Sequence, residues 1–315
     1  MRDRKAAVWS MMICAALVGC SGQNTSSVPT DRSRGATLAS IDIDSARVVQ
    51  DLRYLSAPEL GGRATGSVGS RVAREYIVEQ LRSAGVDSFG TGYSSTFPLP
   101  NVPGGVGTNV IGVVRGVNQA AGYIVVTAHY DHLGTVNGTV YPGADDNASG
   151  VAALLELARH VAANPLDASV IFAALDAEEM GLRGARAFVE SPPVPLESIR
   201  LNINLDMVSR NEDGELYVAG AYHYPDLGAL IDPVASRSEI TLLRGHDRPG
   251  LPPGEAWTQL SEHAAFHSAG IPFVYFGVED HADYHRPNDR FENTDPAFFV
   301  RAVRTVLDFL LEAGG

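Results

Sequence analysis

Five short segments of this 315-residue chain carry side chains that bind divalent cations or move protons. They are His129-Tyr130-Asp131-His132, Gly143-Ala144-Asp145-Asp146-Asn147-Ala148-Ser149-Gly150, Asp176-Ala177-Glu178-Glu179, the single Asp206, and His281-Ala282-Asp283-Tyr284-His285-Arg286-Pro287. Singly, each has a plain explanation. An Asp after a strand forms turns or caps helices, and a Glu pair before a helix complements its dipole. Their conjunction says more. Anionic groups brought to one edge of a sheet repel one another and lose hydration, and a divalent cation offsets that cost. A mixture of imidazole and carboxylate without thiolate suits zinc or a similar metal. Two ions sharing one carboxylate need about five such groups, and the five segments supply them.

The elements that must position these groups are readable from periodicity. Val48, Leu52 and Leu55 recur at helical spacing behind Asp44, and a second amphipathic helix spans 67–83 and stops at Gly85. The period then changes: 109–114, 123–128, 170–175, 201–205, 215–218 and 271–276 are short runs that suit strands. Helices are expected at 151–161, 181–189 and 296–311. Alternating strands and helices indicate a layered α/β domain. In open sheets of this kind, sites form just outside the carboxyl ends of the strands, where His129, Asp176 to Glu179 and Asp206 fall.

Composition narrows the partners. With 45% hydrophobic residues the chain can bury a core, and a net charge of −13 provides no basic face for nucleic acid. The two cysteines, Cys14 and Cys20, allow neither a disulfide scaffold nor a thiolate zinc knuckle. Arg2, Arg4 and Lys5 precede an apolar run, Ala6 to Val18, of signal-peptide length. The run ends in Leu17-Val18-Gly19-Cys20, which resembles a bacterial lipobox whose Cys becomes the lipidated first residue. The expected organisation is a lipoprotein signal peptide at 1–19, a flexible tether at 20–40 and one domain at 41–315. The protein is then exported and lipid-anchored at Cys20 in the cell envelope, on the outer membrane or periplasmic face.

The order and spacing of Ala-His129-Tyr-Asp131-His, Gly-Ala-Asp145-Asp146-Asn-Ala-Ser-Gly, Ala-Glu178-Glu179-Met-Gly, Asn-Leu-Asp206-Met-Val and Asp-Tyr284-His285-Arg-Pro are specific. Over nearly all of residues 50–312 the sequence resembles the co-catalytic zinc aminopeptidases of the aminopeptidase Y and bacterial leucyl aminopeptidase type (peptidase clan MH). Gly61-Gly62-Arg63-Ala-Thr-Gly66-Ser and the segment at 109–112 share the likeness. The resemblance implies a three-layer α/β/α sandwich with a mixed, mostly parallel central sheet. It implies two zinc ions, other divalent metals being open: one on His129, Asp145 and Asp206, the other on Asp145, Glu179 and His285, with Asp145 bridging and a cis peptide between Asp145 and Asp146. Glu178 would be the general base, and Tyr284 would hydrogen-bond the tetrahedral intermediate. Asp131 would accept a hydrogen bond from the other nitrogen of His129.

The activity so implied is a metallo-aminopeptidase acting on peptides with a free N-terminus, through a hydroxide bridging the metals. Glutaminyl cyclases share the fold but use one zinc, and non-catalytic binding modules on it lose ligands or the base. The five-group set and Glu178 favour hydrolysis. His281 is expected near the site, His132 at the rim or in a structural role, and His267 as a packing or surface residue. Glu262 stands where the family usually has Asp, and Arg290 where it has a small hydroxyl residue.

Overall fold

The computed structural model describes residues 42–315 except Pro253. The expected signal peptide, Cys20 and the expected tether lie outside the described residues. Helix α1 (Ser45–Leu55) starts where Asp44 accepts a hydrogen bond from Arg47 N, and α2 (Val68–Ser83) where Ser67 accepts one from Ser70 N. Both are side-chain N-caps that satisfy free amides of the first turn. Gly85 follows α2 with φ +80°, the left-handed exit that favours glycine.

The central sheet contains β1 (Asp87–Ser88), β2 (Ser94–Pro98), β3 (Val106–Val114), β4 (Tyr123–His129), β7 (Ser169–Leu175), β8 (Ile199–Leu205), β9 (Glu215–Ala219), β10 (Thr241–Arg244) and β11 (Phe273–Gly277). A separate hairpin pairs β5 (Gly134–Val136) with β6 (Thr139–Tyr141). The order is β1-β3-β7-β4-β8-β11-β9-β10, with β2 also on β3. The four central strands β7, β4, β8 and β11 run parallel, and β10 runs parallel to β9. The antiparallel pairings flank the centre, at β3 with β7 and β9 with β11.

Strand periodicity sorts side chains onto two faces. From β7, Val170, Phe172 and Ala174 join a core that includes residues of α1, α2, α3 (Gly150–Ala163), α5 (Gly228–Arg237) and α7 (Pro296–Gly314). Ile171, Ala173 and Leu175 face the other way, onto Ala185 and Phe188 of α4 (Arg183–Glu190) and Phe266 of α6 (His263–Ser268). Each wholly buried Phe contributes on the order of 1.5–3 kcal/mol of transfer free energy, so both layers anchor the sheet. No described helix is long and apolar enough to cross a membrane.

This topology positions the site. His129 pairs with Leu175, one residue before Asp176, and Phe276 pairs with Leu205, one residue before Asp206. The carboxyl ends of β4, β7, β8 and β11 are therefore nearly flush. Four of the five chemistry-bearing segments leave the sheet along that edge. The fifth, at 143–149, runs into the start of α3.

Candidate metal centre

Asp146 lies at the middle of this edge. Its Oδ1 is 3.3 Å from His129 Nε2, which is 3.4 Å from Asp206 Oδ1. Its Oδ2 is 3.0 Å from His285 Nε2, which is 3.4 Å from Glu179 Oε2. Tetrahedral zinc with bonds near 2.0–2.1 Å has ligand atoms about 3.3 Å apart; His129, Asp146 and Asp206 form one compact group of this kind and His132, Asp146 and Glu179 a second, with His285 Nε2 beside the two carboxylates of the latter. Asp206 Oδ1, Glu179 Oε1 and both ring nitrogens of His132 are buried and make no hydrogen bond of regular geometry, although His132 Nδ1 and Glu179 Oε1 lie 2.8 Å apart. Orphaned donors and acceptors at such a cost fit a set of metal ligands.

The structure corrects two expectations about the paired aspartates. The carboxylate shared by the triads is that of Asp146, not Asp145, and the cis peptide joins Asp146 to Asn147. Asp145 is fully buried and already engaged. Its Oδ1 accepts from Ser209 N and Ser209 Oγ, each at 2.7 Å, and its Oδ2 meets His281 Nε2 at 3.2 Å. It ties the 143–149 loop to the segments after β8 and β11. Asn147 makes a second tie, donating to Leu205 O at 2.8 Å.

Around this centre the other residues take distinct places. His129 Nδ1 lies 3.1 Å from the main-chain oxygen of Asp131 and 3.7 Å from its carboxylate. That carboxylate accepts from Glu178 N at 3.0 Å and from Thr65 Oγ1 at 3.2 Å. Glu178 lines the pocket beside His129, Asp146 and Asp206. Tyr284 stacks on His285 at 3.9 Å between ring centroids. His132 is not at the rim: its Nδ1 is 2.8 Å from Glu179 Oε1 and 3.6 Å from Asp146 Oδ2, so with those two carboxylates it forms a further possible ligand group. His281 is the partner of Asp145, and His267 meets the Tyr224 hydroxyl at 2.7 Å. Glu262 is buried behind the site, with Oε2 accepting from Ser261 Oγ at 2.6 Å and Oε1 unpartnered.

Among the site residues that the sequence did not reveal, two hold the loop of Asp146. Asp289 accepts from Asp145 N at 2.8 Å and Asp146 N at 3.0 Å. Arg63, in a segment noted only for its likeness, donates to the carbonyls of Tyr130, Pro142 and Gly143. The available signal for Asp289 was an acidic residue four positions beyond His285; for Arg63 it was a cation behind two glycines.

Burial and close approach shift the proton affinities of these groups. Burial pushes Glu178 well above the usual carboxylate range, against the pull of His129. Burial also raises Asp206, and raises Asp289 to about 6. Burial opposes protonation of His129, but Asp206 and its neighbours outweigh it and hold the imidazole well above its ordinary value. Hydrogen bonds to Asp146 and Glu179 push His285 up to about 10.

The sequence profile of peptidase family M28 matches residues 109–310. The chain belongs to peptidase family M28. Aminopeptidase YwaD of Bacillus subtilis (strain 168) is 32% identical over 216 residues, 65% of this chain and 44% of that protein. The probable lipoprotein aminopeptidase LpqL of Mycobacterium tuberculosis is 35% identical over 138 residues, 43% of this chain and 26% of that protein. The chain therefore matches less than half the length of these M28 relatives. BSAP, a zinc aminopeptidase from Bacillus subtilis, superimposes with a TM-score of 0.68 at 20% identity, over 86% of this chain and 95% of that one. Porphyromonas gingivalis glutaminyl cyclase superimposes with a TM-score of 0.70 at 20% identity, over 87% and 99%. At that identity both show the M28-type fold, a mixed sheet with parallel centre between helical layers.

Proposed function

We propose that this M28 protein is a two-metal aminopeptidase. The observation that carries the reading is the lining of the pocket. Asp146, Glu178, Asp206 and Asp280 line it together with His129, His285 and the apolar or aromatic Met207, Trp257, Leu260, Tyr275, Val278 and Tyr284. No Arg or Lys is among these residues. A carboxypeptidase must pair the α-carboxylate of its substrate with a cation. This lining instead favours an α-ammonium group and an apolar first side chain.

His129, Asp146 and Asp206 would hold one ion, and Asp146, Glu179 and His285 the other, zinc being the metal that best matches these donors. When bound, such ions supply Lewis acidity and a nucleophile at neutral pH. The residues do the rest. Glu178 makes no hydrogen bond through its carboxylate among the described residues, so the group is free to take a proton from the attacking water and return it to the leaving amine. Burial raises its proton affinity, and bound cations would oppose that rise. Tyr284, kept protonated by burial, offers a hydroxyl donor at the pocket wall. Asp131 orients two groups at once, His129 through its main-chain oxygen and Glu178 N through its carboxylate.

The completeness of both triads supports hydrolysis over glutaminyl cyclisation, for which one metal suffices. The test is a panel of aminoacyl chromogenic substrates and their N-acetylated counterparts on metal-loaded protein. Free aminoacyl substrates with apolar side chains should be cleaved, and acetylation should reduce kcat/KM by about 10² or more. Ready cleavage of acetylated substrates would remove the aminopeptidase reading. Placement in the cell envelope rests on Leu17-Val18-Gly19-Cys20, and a lipidated N-terminus that disappears in Cys20→Ala is its check.

A further inference from the structure

The peptide run 142–146 carries the shared carboxylate across the site, and its main-chain groups are claimed by two residues. Arg63 donates to Pro142 O at 2.6 Å and Gly143 O at 2.9 Å. Asp289 accepts from Ala144 N at 3.2 Å through its own carbonyl, and from Asp145 N and Asp146 N through Oδ1 and Oδ2. Arg63 and Asp289 are each 1% exposed. Each also reaches a second segment of the site. Arg63 Nε donates to Tyr130 O at 2.9 Å, next to His129, and Asp289 lies four residues beyond His285. The loop is thus held between a buried cation and a buried anion that the described contacts do not pair directly with one another.

The backbone accepts an unusual conformation to make this arrangement. Arg63 has φ +53°, which is costly for a residue with a Cβ. It follows Gly62, where a Cβ would sit 2.3 Å from Tyr141 O and 2.6 Å from Gly134 O. The turn swings the guanidinium inward, under the loop. Burying two charges is expensive unless their hydrogen bonds are made. A carboxylate shared by two ions leaves little tolerance, because moving it disturbs both sides.

We infer that Arg63 and Asp289 are positioning residues that brace the 142–146 loop and set the orientation of the Asp146 carboxylate for two metals. This rests on the metal-centre reading above. Their contribution to metal affinity and coordination comes in addition to a part in the fold, where Arg63 also donates to Leu55 O at 2.6 Å. The planar fork of Arg63 reaches two successive carbonyls, which an ammonium cannot do. The two oxygens of Asp289 reach two successive amides, which an amide side chain cannot do, since its NH₂ would face one of them.

The experiment titrates Co(II) and Zn(II) into chelator-stripped full-length protein, wild type beside Asp289→Asn and Arg63→Lys. Affinities come from competition with a chromogenic chelator and coordination from the Co(II) visible spectrum; metal-free melting is followed in parallel. Both variants should bind both ions about 10–100-fold more weakly, the usual scale for residues that orient ligands. Their Co(II) spectra should shift, and their metal-free melting temperatures should fall only by what the unmade buried hydrogen bonds account for. If Asp289→Asn does not fold, Arg63→Lys decides. Unchanged affinity in a folded variant overturns the proposal, as does a metal-free destabilisation large enough to account for the lost affinity. A wild-type protein that binds no metal overturns the metal-centre reading, and the brace with it.

Discussion

The two sides of Asp146 are built differently. On one side, His129 is the last residue of β4 and Asp206 follows β8, so two adjacent parallel strands hold them. Their side chains are 1% and 11% exposed. On the other, Glu179 precedes α4 and His285 lies on the loop after β11, with its side chain 38% exposed and its main chain at φ +53°. Strand ends are fixed by the sheet ladder, whereas a loop is held by side-chain contacts: here His281 with Asp145, Asp283 with Arg210 and Asp289 with the loop amides. Glu179, with its side chain 12% exposed, is as dry as Asp206, so the contrast rests on His285: one carboxylate joins two strand-held ligands to a pair of which one is on an exposed loop. The difference predicts a tightly held ion and an exchangeable one.

The largest expected effect tests whether the halves work as one centre. Glu178→Gln removes the proton acceptor while preserving size. Turnover should fall by about 10²–10⁴ with KM little changed, and both ions should remain bound. Loss of an ion in this variant would move Glu178 from base to ligand.

A smaller and more selective effect is expected from the ligands themselves. His285→Ala should weaken the exchangeable ion by about 10² or more, beyond the usual scale for a residue that only orients a ligand, and leave the other ion in place. His129→Ala should disturb the tight site. Equal loss of both ions from His285→Ala, read by metal analysis after dialysis, would erase the proposed asymmetry.

The smallest effect is in the pH dependence of stability, and it concerns both halves. In the metal-free protein burial raises Glu262 to about 7 and Asp176 and Asp289 to about 6. Folding therefore takes up protons near these values, and stability falls as pH rises from about 4 through about 7. The His285 contribution is present below about 6.5 and is lost as pH rises through about 10. Both trends have the same sign; His263, lowered to about 3 by burial, opposes them as pH rises to about 6.5. The chelated protein should melt several degrees lower at pH 8 than at pH 5, at about 2–4 °C per kcal/mol for a chain of this size. Metal should remove or reverse the slope, because binding displaces those protons. A metal-free melting temperature that rises over this range would contradict the burial of these carboxylates.

Much of this architecture was legible in the sequence, for physical reasons. Long apolar periods such as 170–175 and 296–311 mark buried elements, because a two-sided core leaves few alternatives. The short β1, β2 and β10, the β5–β6 hairpin and α5 carry too little apolar repetition to stand out. Within the site, residue types at strand ends identified the region, but they could not separate Asp145 from Asp146. Neighbouring side chains point apart, and which one turns inward depends on contacts more than sixty positions away, at Ser209 and His281. The same applies to His132, whose place beside Glu179 depends on two loops meeting. Arg63 and Asp289 act through main-chain groups, which leave no pattern of side-chain types to read.

Anomalous scattering from a zinc-loaded crystal of the full chain tests the central claim most directly. The account predicts two zinc peaks about 3.5–4 Å apart, one between His129 and Asp206, the other between Glu179 and His285, with the carboxylate of Asp146 between them. A single fully occupied peak, or a peak coordinated by Asp145, would contradict it.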